Sequence, residues 1–186
     1  PIPSLQSIDH EEKVIYLGTF SKSIAPSLRI SYMVLPLHLL KKYQESCSFY
    51  STTVSKIQQE VLREFIRGGY FGRHLNKMRG IYKNKHDFLV GELKKKNWVQ
   101  NIAGDNAGLH VLVQVNTTLT EEEICKKAAE CGIRLMGIRE HYIHTPPEGR
   151  PVLLLGYGKP DEQEIQKGLE VLESIVLENR IPLPLR

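Results

Sequence analysis

Near the start of the chain, two short apolar runs bracket a polar stretch, and this arrangement limits the possible folds more than any other feature. Residues 14–17 (Val-Ile-Tyr-Leu) are rich in β-formers and are followed by Gly18; a second run spans residues 30–35 and is closed by Pro36. Both read as strands. Neither alternates cleanly between apolar and polar, which predicts strands of a parallel sheet covered on both faces, the first buried and ending in a turn. Helical text follows. Residues 37–46 predict one helix, and residues 54–66 another, ended by Gly68-Gly69. From Phe71 onward, Leu75, Met78, Tyr82, Leu89 and Leu93 recur at helical intervals and form one stripe of a long amphipathic helix.

Beyond that helix the texture changes. A boundary near residues 97–107 separates residues 1–96 from a small α/β unit at 97–186. Residues 109–113 predict a strand. Thr120 and Glu123 form a capping box, in which hydroxyl and carboxylate each satisfy a free backbone N–H. The helix it opens runs to about Cys131 and stops at Gly132. Residues 133–136 and 151–155 are further strand candidates. Asp161 with Glu164 opens the last helix, with Ile165, Leu169, Leu172 and Val176 on its apolar face.

Charge and composition exclude several classes. The net charge of +4 is uneven: residues 63–96 hold ten Lys/Arg against three Asp/Glu, so the rest of the chain sums to −3. Such a block can be a nucleic-acid footprint. Most of it falls on the long helix, which favours the plainer reading of a wet helix face, with residues 94–96 a solvated end that complements the helix dipole. A composition 41% hydrophobic and 25% charged excludes a collagen-like or disordered chain. No apolar run approaches the roughly 18 residues that span a bilayer, and the first ten residues lack signal-peptide form. Residues 1–13 read as a polar tail or loop. Three cysteines are too few for a disulfide scaffold, so a reducing, cytoplasmic setting is expected.

Chemistry concentrates in the segment between the two apolar runs, Thr19-Phe-Ser-Lys22-Ser-Ile-Ala-Pro-Ser-Leu-Arg29. A lysine just beyond the carboxyl end of a strand lies where open α/β sheets bind ligands. Its amine can form a Schiff base once its pKa falls from about 10.4. Thr19 and Ser21 offer hydroxyls, and Arg29 a fork suited to phosphate. These are the parts needed to hold pyridoxal phosphate. A plain turn with a surface lysine and an unrelated arginine competes with that reading, and spacing alone leaves both open.

The segment, continued by Ile30-Ser-Tyr-Met-Val-Leu-Pro36, closely resembles the cofactor-lysine region of fold-type I pyridoxal-phosphate proteins. More narrowly it resembles the MocR/GabR subgroup of GntR-type bacterial transcription regulators. The resemblance continues through Tyr70-Phe-x-x-His74-Leu-x-x-Met78-Arg79-x-x-Tyr82, Ala107-Gly-Leu-His110 and Leu155-Gly-Tyr157. It implies an α/β fold, the C-terminal portion of a fold-type I subunit: the end of the large-domain sheet, the long helix and the small domain. It further implies pyridoxal 5'-phosphate held as an internal aldimine by Lys22, with Thr19 and Arg29 on the phosphate. Residues 107–110 would open the small-domain strand near the effector. The expected function is sensing of a small amine or amino acid, such as γ-aminobutyrate, through an external aldimine. The expected assembly is a homodimer that reaches DNA through a winged helix, which nothing in this sequence matches.

Two departures qualify the resemblance. The family's aminotransferases carry an arginine for the substrate carboxylate in Leu-Arg-Leu-Gly-Phe/Tyr, whereas this chain has Leu153-Leu154-Leu155-Gly-Tyr157. An apolar side chain cannot hold a carboxylate, so Arg139 is the first candidate for that task and Arg134 the second. The other departure is that the family's acid facing the pyridine nitrogen, its phosphate loop and its ring-stacking aromatic lie upstream of the lysine strand, where only 21 residues precede Lys22. A true aminotransferase, with Lys22 as proton shuttle, and a cofactor-free module for packing or dimerisation are the alternatives. A Ser-x-x-Lys signature fails because position 19 is Thr. His141 and His144 with Cys125 and Cys131 have no usual zinc spacing. His110, on an apolar strand, reads as a hydrogen-bonded core or pocket residue.

Overall fold

The structure, a computed structural model, describes residues 3–105, 108–145 and 148–179. It divides inside the long helix into two compact units, one ending at Met78 and the other beginning at Arg79.

In the first unit, Tyr16–Thr19 (β1) pairs antiparallel with Ser31–Val34 (β2), from Tyr16 opposite Val34 to Thr19 opposite Ser31. This corrects the expectation of parallel strands covered on both faces. Leu17 is 71% exposed, and every residue of β2 is exposed. The reason is the connection. Only residues 20–30 separate the strands, fewer than the about a dozen or more that a parallel crossover needs, so the chain turns back on itself. Gly18 belongs to β1 instead of ending it. A one-turn helix, Phe20–Ser23 (α1), sits between the strands, and Leu37–Cys47 (α2) and Lys56–Arg67 (α3) follow. The Ser55 hydroxyl caps α3 by accepting from the Ile57 N–H. At its other end the Gly68 N–H donates to Glu64 O. Neither α2 nor α3 buries a residue.

Tyr70–Lys94 (α4) is the long helix that the apolar periodicity predicts. Its stripe deepens toward the C-terminus, where Leu89, Val90 and Leu93 enter the core of the second unit. The helix therefore shares its residues between the units, whereas the sequence reading placed it whole in the first. The second unit's sheet has the order β3-β4-β6-β5, all antiparallel: Val99–Ala103 (β3), His110–Val115 (β4), Met136–Gly137 (β5) and Val152–Gly156 (β6). β3 lies in the stretch read from sequence as a boundary. Val111, Val113 and Val115 alternate onto the buried face beside Leu153 and Leu155. Glu121–Glu130 (α5) and Glu162–Leu177 (α6) contribute to the same core, α6 through Ile165, Leu169, Leu172 and Val176 as the pattern predicts.

Both capping boxes form: Thr120 with Glu123, and Asp161 with Glu164. Gly132 ends the α5 region at φ +78, a left-handed conformation that favours glycine. The basic run at 94–96 is only partly solvated. Lys96, its side chain 16% exposed, donates to Glu173 at 2.7 Å, and Trp98 Nε1 donates to the other oxygen of that carboxylate at 3.1 Å. Among the described residues, no helix is long and apolar enough to cross a membrane.

Candidate functional site

Hydroxyls set the shape of the lysine loop. Thr19 caps α1: its Oγ1 accepts from the Ser21 N–H and donates to Ile30 O, both at 3.3 Å. Ser21 Oγ donates to Leu28 O at 2.5 Å, and Ser23 Oγ to Thr19 O at 3.3 Å. The Phe20 N–H also donates to Ile30 O. The two ends of the 20–30 connection are thus tied together through residues 28 and 30. Phe20 anchors α1 by packing against Tyr32 at 5.1 Å and edge-on against Phe71 at 5.9 Å.

Lys22 and Arg29 stand outside this network. Both are exposed, and among the described residues neither side chain has a hydrogen-bond or ion-pair partner. An amine for a carbonyl and a guanidinium for a phosphate are therefore free at opposite ends of one tied loop. Thr19 stands differently, because its single hydroxyl hydrogen is committed to Ile30 O. To serve a phosphate it would have to turn away from that long bond.

Arg139 lies in the second unit, in a short 3-10 turn, Arg139–His141. The buried Glu121 holds that turn in place: its Oε2 accepts from the Arg139 N–H at 2.8 Å, and its Oε1 from the Val152 N–H at 2.9 Å. The carboxylate lies so close to Gly137 that a Cβ there would overlap it. Arg139 lines a cavity of ≈ 580 Å³ together with Arg150 and Thr117, Thr118 and Thr120. Arg150 Nη1 is buried and, among the described residues, has no hydrogen-bond partner. Sequence reasoning missed Arg150, and its only signal there is a basic residue flanked by Gly149 and Pro151 just before a strand. Leu154, in the family's arginine position, is paired with Leu112 and Met136 in the middle of the sheet.

The remaining candidates resolve simply. Arg134 is exposed and precedes β5. His110 is an exposed residue at the start of β4, so its reading as a core residue is corrected; its ring faces Gly156, its partner across the sheet. Ala107 lies outside the described residues. Among the described residues, no group of three or more His, Cys, Asp or Glu is gathered as a metal site.

The chain belongs to the aminotransferase class I and II family, whose model matches residues 2–165. It is 39% identical over 175 residues to the uncharacterized HTH-type transcriptional regulator YdeL of Bacillus subtilis (strain 168), covering 94% of this chain and 37% of that protein. It is 30% identical to the probable rhizopine catabolism regulatory protein MocR of Rhizobium meliloti, over 100% of this chain and 38% of that one. The fold matches the crystal structure of LysN, the α-aminoadipate aminotransferase of Thermus thermophilus, complexed with N-(5'-phosphopyridoxyl)-L-leucine. The TM-score is 0.76 at 23% identity, over 95% of this chain and 46% of that one. The resemblance to MocR-type regulators, read from the Lys22 segment, is borne out by these relatives, and the α/β fold of type I by the aminotransferase structure. The chain spans less than half the length of these relatives. Family and fold imply pyridoxal phosphate as cofactor, and the free Lys22 amine and Arg29 guanidinium fit it.

Proposed function

We propose that this chain is part of an effector-sensing domain of a bacterial transcription regulator of the MocR subgroup. In this reading pyridoxal phosphate serves as a receptor for a small amine or amino acid such as γ-aminobutyrate. The observation that carries the proposal is the free Lys22 amine and Arg29 guanidinium at the two ends of one hydroxyl-tied loop. The cofactor, when bound, supplies an aldehyde carbon that a primary amine can attack. Lys22 would supply the resident amine that holds the cofactor. Arg29 would hold the phosphate, with Thr19 as a further donor once its hydroxyl leaves Ile30 O. Arg139 is the cation proposed for the carboxylate of an acidic effector. Leu154 argues against ordinary α-amino-acid transamination, because it leaves the usual carboxylate position apolar. A homodimer, a cytoplasmic setting and DNA contact through a separate winged helix belong to the same reading. Relay to DNA would follow from a shift in the position of the small domain, biased by the effector's differential affinity.

The test is spectroscopic titration of the pyridoxal-phosphate-loaded protein with γ-aminobutyrate and other ω-amino acids. The expected result is a saturable change in the cofactor band that Lys22→Ala abolishes, and that Arg139→Ala shifts to higher effector concentration with cofactor still bound. Arg29→Ala is expected to weaken cofactor retention with the fold intact. Sustained turnover of an amino acid with a 2-oxo acid, lost in Lys22→Ala, would replace the sensor by an enzyme.

A further inference from the structure

A second cavity, away from Arg139 and built wholly within the second unit, has a different character. Its volume is ≈ 420 Å³, within the roughly 300–1,000 Å³ of small-molecule sites. It opens between α4, α6 and the segment leading into β5, and Leu89, Ile133, Leu135, Leu155 and Leu169 give it an apolar lining. Two cations, Arg134 and Lys159, also line it. Among the described residues neither side chain has a hydrogen-bond or ion-pair partner. Among the described residues the one lining acid, Glu164, already accepts the Asp161 N–H in the α6 capping box at 2.9 Å, so the local balance favours an anion.

One residue of the lining is hard to explain by folding alone. Gly168 lies in the interior of α6, where glycine is the least favourable residue apart from proline. It relieves no clash, since a Cβ built there meets nothing within 4 Å, and its φ is not left-handed. Gly168 lines the cavity, and a Cβ there would meet only open space.

We propose that this cavity binds an apolar carboxylate of medium chain length, its hydrocarbon on the leucine lining and its carboxylate between Arg134 and Lys159. This site stands independently of the Lys22 reading, because it requires neither an amine on the ligand nor a cofactor.

The experiment is calorimetric titration of the full chain with decanoate, and with decanol as the uncharged counterpart. Saturable binding of decanoate at one site is expected, with decanol at least about tenfold weaker. Arg134→Gln, a surface change that leaves the core untouched, is expected to weaken decanoate about tenfold, the loss of one charge-assisted contact. Gly168→Leu fills the space and is expected to abolish binding. Gly168→Ala serves as the folding control and is expected to raise the melting temperature by a few degrees while retaining binding. Absence of saturable decanoate binding at millimolar concentration overturns the proposal. So does binding that Gly168→Leu leaves unchanged, or equal affinity for decanoate and decanol.

Discussion

The two units of this chain bury their apolar side chains very differently. Among the described residues, the second gathers seventeen buried hydrophobic residues into one cluster, with Trp98, Leu93 and Leu153 wholly enclosed. The first buries one, Ile30 at 6% exposure, and leaves Leu17 and Ile57 mostly open, Ile57 at 77%. Yet the first carries the free lysine and arginine of the candidate cofactor site. Order around Lys22 therefore comes from hydroxyl-to-carbonyl bonds and an aromatic anchor, whereas order around Glu121 comes from a packed core. The candidate cofactor residues Lys22 and Arg29 thus lie outside the unit that holds the packed core.

The most forceful way to break this comparison is truncation in each unit. Trp98→Ala is expected to cost about 3–5 kcal/mol in denaturant unfolding, since a fully enclosed indole leaves a cavity. Leu17→Ala and Ile57→Ala are expected to stay within about 0.5 kcal/mol. A large loss at Leu17 would mean that its face is covered and the comparison wrong. Next comes Glu121→Ala, which leaves the Arg139 and Val152 N–H groups without their acceptor. About 2–3 kcal/mol is expected, with faster hydrogen exchange at those two amides.

A smaller effect is expected at Glu173. The Lys96 hydrogen bond, assisted by Trp98 Nε1, holds its carboxyl below the ordinary 4.5 against the opposing effect of burial. A lowered folded-state pKa means stability that is fully present above about 4.5 and lost as pH falls through the lowered value. Glu173→Gln is therefore expected to cost about 0.5–1 kcal/mol at neutral pH, discounted because the pair is partly solvated. The variant should also unfold less steeply with acid below pH 4.5, as a pH series of denaturation midpoints would record. The smallest change belongs to Ser21→Ala, which removes one bond at the tied loop. Its unfolding midpoint is expected to shift little, while the amides of residues 28–30 exchange faster.

What the sequence made legible follows the same division. In the second unit, periodicity and caps located α5 and α6, and the Leu75 to Leu93 stripe located α4, because a buried face imposes its spacing on the chain. The first unit's strands were placed to within a residue or two but given the wrong pairing. Apolar runs at 14–17 and 30–35 look like fully covered strands whether or not anything covers them, and the direction is set by the short connection. β3 was missed because half-exposed residues 99–103 carry little pattern. The Lys22, Arg29 and Arg139 candidates were legible from chemistry and resemblance. The commitment of the Thr19 hydroxyl to Ile30 O, and the cavity that Arg150 lines together with Arg139, bring together residues eleven apart in each case and needed the structure.

The central claim is that Lys22 is the amine that holds the aldehyde. The most direct measurement is to incubate the protein with pyridoxal phosphate, reduce it with borohydride and map the modified residue by peptide mass spectrometry. One dominant adduct on Lys22, strongly reduced in Arg29→Ala, is the expected result. Modification spread evenly over surface lysines, or a dominant adduct elsewhere, would contradict it.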